Sequence, residues 1–416
     1  MLPNSAASKS MLVEFSEINK EIMVREFKID PEMDAFRADI RKAAERAFSE
    51  KAAHWDRTGE FPWENLKTLA DLGYLGLLIP EEYGGVGGTL MQAVIVSEEL
   101  ARVDPAAALL AQMYLYTVAN HIAAIGSKQQ KEKYLPLLAK GEILFNISLS
   151  EPHAGSALTD LTTSAEIVGD QVVVNGAKCY FTAGDVVSHA LVYVRFGKSK
   201  GANGIGAVIV ERATPGFSSG KPHEKMGMRS INECDIFLDN CKLPLENIFV
   251  KGDPANSEGF KTLMSCFGME RLGSAAMCVG IGQAALEYVV KFTEERQQFG
   301  RPISEFQGLQ WKIADMATQV HAARLMVYRA STQLSSVGKP DPYEIAITKL
   351  YANEMVQRVT NEAMQICGHY GYTTDCPLER LYRDGRNYAY AAGTTEILRN
   401  TIASMTFGRS FNQRRS

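Results

Sequence analysis

The chain is short of the features that would staple it, load it with metal or coat it with charge. It has no C-x-x-C pair. Its seven cysteines, at 179, 234, 241, 266, 278, 367 and 376, are odd in number and scattered, the pattern of free thiols in a reducing compartment rather than of a disulfide framework or a zinc site. The seven histidines are scattered too, with no H-E-x-x-H, so no catalytic metal is expected. Excess charge is lacking: 44 basic against 48 acidic residues give a formal net of -4 with no block of one sign, which argues against nucleic acid held by phosphate neutralisation. What is plentiful is core material. With 46% hydrophobic and 9% aromatic residues over 416 positions, disorder and collagen-like repeats are excluded and two or three domains can each bury a core. A small molecule is the expected partner.

Residues 1–30 mix acids and bases without a continuous apolar run and read as an N-terminal extension rather than a secretory signal or transit peptide. The expected location is the cytoplasm of a bacterium, or the mitochondrial matrix if the source is eukaryotic. Pro105 to Ser127 carries no charged residue and is long enough to suggest a membrane span, but Gln112, Thr117, Asn120 and His121 interrupt it, so a buried helix and no membrane span are expected.

Three regions follow. Residues 31–143 space apolar and charged side chains with a 3.6-residue period and read as a helical domain. Residues 144–252 break into short Val-, Ile-, Tyr- and Phe-rich segments separated by turn pairs such as Gly169-Asp170 and Asn175-Gly176, and read as an antiparallel β domain. Residues 253–416 return to long helices, three of them of seven or more turns, as expected of a bundle. The fold class is α+β multidomain.

The Gly-rich pieces, GGVGG at 84–88 and GKSKGANGIG at 197–206, neither follow a strand nor open a helix with the spacing of a dinucleotide or P-loop site. The segment SLSEPHAGSALTDLTTSA at 148–165, between the helical and β regions, offers hydroxyls and a glycine that suit either a polar ligand or an ordinary capped turn. Farther on, Lys178, Tyr180 and Thr182 fall on alternating strand positions, so that Tyr180 and Thr182 would share a face, either as a ring wall with a hydroxyl or as a half-buried strand.

SEPHAGS, NGAKCYFTAG, KPHEKMGMRS, ERQQFGRPISEFQGLQWKIADM, QICGHYGYTTDCPLERLYRD and AAGTTEILRNTIA, in this order and at these intervals, resemble the acyl-CoA dehydrogenase family from about residue 35 to 408. The resemblance implies an N-terminal helical domain, a middle antiparallel β domain and a C-terminal four-helix bundle, an FAD cofactor and a homotetramer built as a dimer of dimers. It places Ile147, Ser148, Leu149, Ser150, Gly155 and Ser156, with Tyr180, Phe181 and Thr182, along the flavin, Thr182 near N5. Arg296, Phe299 and Gln307 would reach an FAD held mainly by a neighbouring subunit. Gln365, Gly368, His369, Thr394, Thr395 and Glu396 would hold its adenosine and diphosphate end. A guanidinium at Arg296 matches phosphate oxygens bidentately, although an ion pair with Glu294 or Glu295 is the plainer reading.

The implied reaction needs a desolvated carboxylate to take the α-proton of an acyl-CoA thioester while the β-hydride goes to flavin N5, giving a 2-enoyl thioester. Many members carry that carboxylate in a Tyr-Glu-Gly-Thr segment; here the segment is Ala391-Ala392-Gly393-Thr394. Isovaleryl-CoA dehydrogenase and its relatives take it instead from a Glu-Arg pair on the first long C-terminal helix, and this chain has Glu270-Arg271 there, followed by an uncharged run from Leu272 to Leu286. Glu270 is therefore the expected base, with an ion pair to Arg271 or Lys261 as its structural alternative. By the same resemblance the Ala392 N–H and a flavin ribityl hydroxyl bind the thioester oxygen. Ser156, Lys261, Met264, Arg271 and Gly393 complete the substrate contacts, and an electron-transfer flavoprotein is the expected electron acceptor.

Departures from the family pattern are Ala157 for the usual Asp, Tyr180 for a Trp and His369 for a Gly. Ala391 and Ala392 widen the acyl pocket, which suits a branched, cyclic or aryl-substituted chain. Ala108 and Leu109 stand where glutaryl-CoA enzymes carry an Arg, which leads away from that substrate. The competing functions are a same-fold flavin monooxygenase or oxidase, a redox-neutral acyl-CoA lyase or desulfinase, and a carrier-protein-tethered dehydrogenase.

Overall fold

A computed structural model describes residues 28–332 and 341–411; most of the expected N-terminal extension lies outside them. The first helix, α1 (Pro31–Phe48), starts where its sequence says it should: the Asp30 carboxylate accepts the Met33 N–H at 2.9 Å and Pro31 fills the first turn. Two short helices follow, α2 (Ala52–Thr58) and α3 (Trp63–Asp71). Helix α4 (Leu90–Val103) opens with a reciprocal capping box between Thr89 and Gln92. The uncharged stretch is one helix in three parts: α5 (Pro105–Gln112), a π-helical turn at Met113–Thr117, and α6 (Val118–Ile125). Its length and composition would let it cross a membrane, but Leu110, Tyr114 and Tyr116 are fully enclosed by protein, so its apolar surface is spent on the core. Helix α7 (Lys128–Ala139) completes this layer.

The middle region is an eight-stranded sheet of β1 (Phe145–Ser148), β2 (Ser164–Val168), β3 (Gln171–Thr182), β4 (His189–Phe196), β5 (Ile205–Glu211), β6 (Phe217–Ser219), β7 (Glu233–Pro244) and β8 (Ile248–Val250). The order is β6-β7-β3-β2-β4-β5-β8, with β1 on β4. Most pairings are antiparallel, but β1 and β2 both run parallel to β4, β1 along 189–192 and β2 along 195–196. The physical reason is that they share one edge of β4 in line, with the 149–163 segment looping out between them. Strand alternation in the sequence could not reveal that excursion. It is what carries Ser150, Gly155 and Ser156 off the sheet.

The expected strand face of Lys178, Tyr180 and Thr182 does not form. The β3–β7 register slips between Lys178 and Phe181, and Tyr180 sits at φ +54°. A bulge reverses the alternation. Lys178 ends fully buried and Tyr180 66% exposed.

The C-terminal region comprises α8 (Glu258–Met264), α9 (Phe267–Glu295), a hairpin of β9 (Gln297–Gln298) and β10 (Arg301–Pro302), α10 (Gln307–Thr332), α11 (Pro342–Cys367), α12 (Pro377–Arg386) and α13 (Thr395–Thr406). The periodicity from Phe260 reads as one helix, yet the chain bends at Ser265–Cys266 and starts α9 afresh. Helix α9 is buried on every side from Leu272 to Gln283, as an all-apolar helix must be. It packs between α4 and α11. That closeness depends on small residues: a Cβ on Gly280 would stand 2.1 Å from the Glu98 carbonyl oxygen. The α4–α10 contact is polar. Glu98 accepts from Arg324 Nε and from the Tyr328 hydroxyl, both at 2.7 Å, and Arg324 also donates to Gln283.

Candidate active site

Glu270 lies in the first turn of α9. Neither of its expected ion-pair partners takes it: Lys261 pairs with Glu258 at 2.7 Å, and Arg271 Nε donates to the Ala392 carbonyl at 3.1 Å. Among the described residues no cation lies within ion-pair distance of Glu270. Burial raises its carboxyl to about 7, against the opposing pull of the Lys349 and Arg271 charges. A carboxyl poised at that value holds both protonation states near neutral pH, the property a proton-transfer group needs.

The bond from Arg271 brings α9 and the 391–394 segment together. Ala391, Ala392 and Gly393 are each half-buried. Ala392 stands at φ +53° and Gly393 at φ +101°. A side chain at Gly393 would be strained by its backbone, while its Cβ would meet Arg271 Nη2 only at ordinary contact distance, 3.4 Å. Thr394 caps α13, its hydroxyl accepting the Ile397 N–H, and Thr395 Oγ1 donates to the exposed Glu396 carboxylate at 2.9 Å. Beneath the segment lies a residue that sequence reasoning missed. Lys349 of α11 is fully buried, and its Nζ donates to the carbonyls of Ala391 at 2.7 Å and Gly393 at 3.1 Å, with Tyr388 O at 3.5 Å.

Met264 is half-buried against the core, whereas Lys261 and Ser156 are exposed, and no hydrogen bond or ion pair joins them to Glu270 or Ala392 among the described residues. The 148–165 segment has an internal anchor rather than a free carboxylate. Glu151 accepts from Lys178 Nζ at 2.8 Å, from the Thr162 N–H and hydroxyl, and from the Thr163 N–H. Burial alone would raise the Glu151 carboxyl, but Lys178 and the threonine donors outweigh it and hold it at about 2. Lys178 also donates to Leu149 O, and Cys179 N to Ser150 O, which sews the loop to β3.

The residues expected along the isoalloxazine range from buried to exposed. Ile147 and Phe181 are buried, Leu149, Ser150 and Thr182 half-buried, and Gly155 exposed. Ser148 Oγ is enclosed without a hydrogen-bond partner, and the Tyr180 ring faces outward 5.3 Å from the His223 ring. An enclosed hydroxyl and a projecting aromatic fit a polar planar ring system. A second surface lies at the end of the bundle. A cavity of about 750 Å³ is lined by Arg296, Phe299, Phe306, Gly368 and His369 among others. Phe299, at φ +53° on the hairpin tip, is 93% exposed. Glu295 pairs with Lys291 rather than Arg296, leaving that guanidinium at the cavity wall. Gln307 and Gln365 are exposed nearby in the chain. No hydrogen bond, ion pair or ring contact connects this cavity to Ser148, Tyr180 or Thr182 among the described residues.

Residues 30–142, 146–241 and 257–406 match the N-terminal, middle and C-terminal domains of acyl-CoA dehydrogenase respectively. The chain belongs to the acyl-CoA dehydrogenase family. Acryloyl-CoA reductase (NADH) of Anaerotignum propionicum is 38% identical over 390 residues, covering 93% of this chain and 98% of that protein. The short-chain-specific acyl-CoA dehydrogenase of Clostridium acetobutylicum is 35% identical over 382 residues, 92% and 100% respectively. The solved structure of butyryl-CoA dehydrogenase from Megasphaera elsdenii superimposes with a TM-score of 0.87 at 33% identity, covering 92% of this chain and 100% of that one. The chain is thus an FAD-dependent oxidoreductase with the acyl-CoA dehydrogenase fold.

Proposed function

We propose that the enzyme dehydrogenates an acyl-CoA thioester to the 2-enoyl-CoA with Glu270 as the base, as in the isovaleryl-CoA dehydrogenase subgroup. The observation that carries this reading is a carboxyl raised to about 7, without an ion pair, on the helix that Arg271 ties to a segment where Ala392 replaces the family's other carboxylate. Glu270 accepts the α-proton. The Ala392 N–H, which has no hydrogen-bond partner among the described residues, receives the thioester oxygen and the charge that builds on it as the proton leaves. Ser148, Tyr180 and Thr182 would hold the flavin ring, His369 the adenosine and diphosphate end, and Arg296 would reach an FAD held mainly by a neighbouring subunit. When bound against these residues, FAD would supply the two-electron acceptor for the hydride that leaves the β-carbon. Ala391 and Ala392 leave width for a branched, cyclic or aryl-substituted acyl chain.

The same residues support reduction of a 2-enoyl thioester. A group at about 7 is part protonated at neutral pH and returns its proton to the α-carbon, while reduced FAD, when bound, would supply the hydride to the β-carbon. The similarity to acryloyl-CoA reductase supports this second direction. Electron-transfer flavoprotein is the proposed redox partner. A homotetramer is the proposed assembly, supported by apolar side chains left outside, including Phe299, Trp311 and Phe407.

Anaerobic titration of the flavin-loaded protein with straight, branched and aryl acyl-CoAs is the test. Bleaching of the flavin band with formation of the 2-enoyl-CoA is expected, fastest with a branched or aryl chain. Bleaching by NAD(P)H with oxygen uptake, and by no acyl-CoA, would establish the oxidase or monooxygenase reading instead.

A further inference from the structure

A buried lysine without a carboxylate partner is unusual, because burial penalises the ammonium unless its donors are all used. Lys349 meets that condition with backbone alone. Its Nζ has three protons, and three carbonyl oxygens lie around it, those of Ala391, Gly393 and Tyr388 at 2.7, 3.1 and 3.5 Å. Arg271 takes the one between, the carbonyl of Ala392, at 3.1 Å. Two cations therefore hold three consecutive carbonyls, 391 to 393, and they do so from helices α9 and α11 on which the segment rests.

The consequence follows from peptide geometry. In a trans peptide the C=O and the following N–H point in opposite directions. Drawing the Ala391 carbonyl down onto Lys349 turns the Ala392 N–H away from α11, and that N–H has no hydrogen-bond partner among the described residues. Ala392 itself stands at φ +53°, a region that costs a non-glycine residue about 1–2 kcal/mol and persists only where neighbours over-determine it. The Lys349 ammonium is one of those neighbours, through the carbonyls on either side of Ala392. It also places a positive charge behind the peptide whose N–H meets the developing oxyanion.

We propose that Lys349 is a positioning residue for the reaction: it sets the 391–393 backbone so that the Ala392 N–H is aimed at the thioester oxygen, acting through that peptide without touching the substrate. The inference rests on the reading of Ala392 N–H as the oxyanion donor, and the experiment separates the two.

Butyryl-CoA carrying 13C at its thioester carbonyl is bound to the flavin-loaded Glu270→Gln enzyme, which holds it without turnover, and the carbonyl stretch is read by isotope-edited infrared difference. A downward shift on binding is expected. In Glu270→Gln/Lys349→Met that shift should be largely lost while butyryl-CoA still binds within about 3-fold, and Lys349→Met alone should lower kcat by roughly 10²-fold with KM changed far less. Lys349→Gln keeps two N–H donors, so it should recover part of the shift, and it carries the test if the Met variant fails to retain FAD. Equal shifts with and without Lys349 overturn the inference and leave the oxyanion reading intact. No shift even with Lys349 present removes the oxyanion reading itself, and the inference with it.

Discussion

Replacing Glu270 by Gln should slow the chemistry by orders of magnitude and stabilise the protein above neutral pH, and the two effects share one cause. Burial raises the carboxyl from an ordinary 4.5 to about 7. Between those values the folded protein binds a proton that the unfolded chain has released. The stability this contributes is complete below about pH 4.5 and is lost as pH rises through about 7. Converted at 1.36 kcal/mol per pH unit and reduced for its partial exposure, the loss is about 2–3 kcal/mol by pH 8. Gln cannot ionise and escapes it. The variant should therefore match the parent near pH 5 and exceed it near pH 8, by about 3 °C in apparent Tm for a chain of this size. Thermal unfolding at both pH values, with FAD in excess, reads the difference directly, and subtracting the two proteins removes every other titrating group. In the same samples the variant should keep its flavin spectrum while bleaching by acyl-CoA slows by roughly 10²–10⁴-fold, and the parent's kcat/KM should rise with pH through about 7. A Tm difference that does not change between pH 5 and pH 8 would show that Glu270 is not desolvated in the fold. Bleaching at the parent's rate would show that it is not the base.

Lys178→Met leaves the Glu151 carboxylate buried without its cation and should cost about 3–5 kcal/mol, seen as a lowered Tm. Adding Glu151→Gln should restore part of that loss, a coupling read by the double-mutant cycle. Gly280→Ala would stabilise an ordinary helix interior by about 1 kcal/mol, but here the new Cβ meets the Glu98 carbonyl, so destabilisation by about 1–3 kcal/mol is expected in thermal unfolding. Arg296→Ala should weaken FAD retention by roughly 30-fold, equivalent to about 2 kcal/mol for a charge-assisted contact, measured as FAD released on dilution.

The fold class was legible because each layer carries its own period. Helix α1 announces itself with Asp30 and Pro31, the middle strands with alternating Val and Ile between turn pairs, and α9 with an uncharged run too apolar to face water. What periodicity misses is where a period is broken on purpose. The bend at Ser265–Cys266 lies inside a continuous helical pattern, and the bulge before Phe181 lies inside a continuous strand pattern. The excursion between β1 and β2 is missed too, since its two ends meet the same edge of β4 only in three dimensions.

The chemistry-bearing residues divide in the same way. Glu270 could be proposed from the sequence because its type and its neighbours single it out: an acid beside an arginine at the head of an apolar helix, opposite a segment lacking its expected acid. Lys349 and Lys178 could not be singled out by type, since lysine is ordinarily a surface residue. Their positions did hold a signal. Lys349 falls in phase with Ile345, Ala352 and Val356, all buried, so it stands on the apolar face of α11. Lys178 falls in phase with the buried Val172 and Val174 of β3. A cation at an inward position of an amphipathic element must find acceptors inside the protein, and each of these finds them on a neighbouring loop: Leu149 and Glu151 for Lys178, the 391–393 carbonyls for Lys349. In both cases the buried charge hydrogen-bonds to a segment assigned to the proposed site. Phase-matched lysines are therefore a readable mark of loops whose backbone conformation is under chemical demand, and in this chain they point to the two segments on which the proposed flavin and thioester contacts depend.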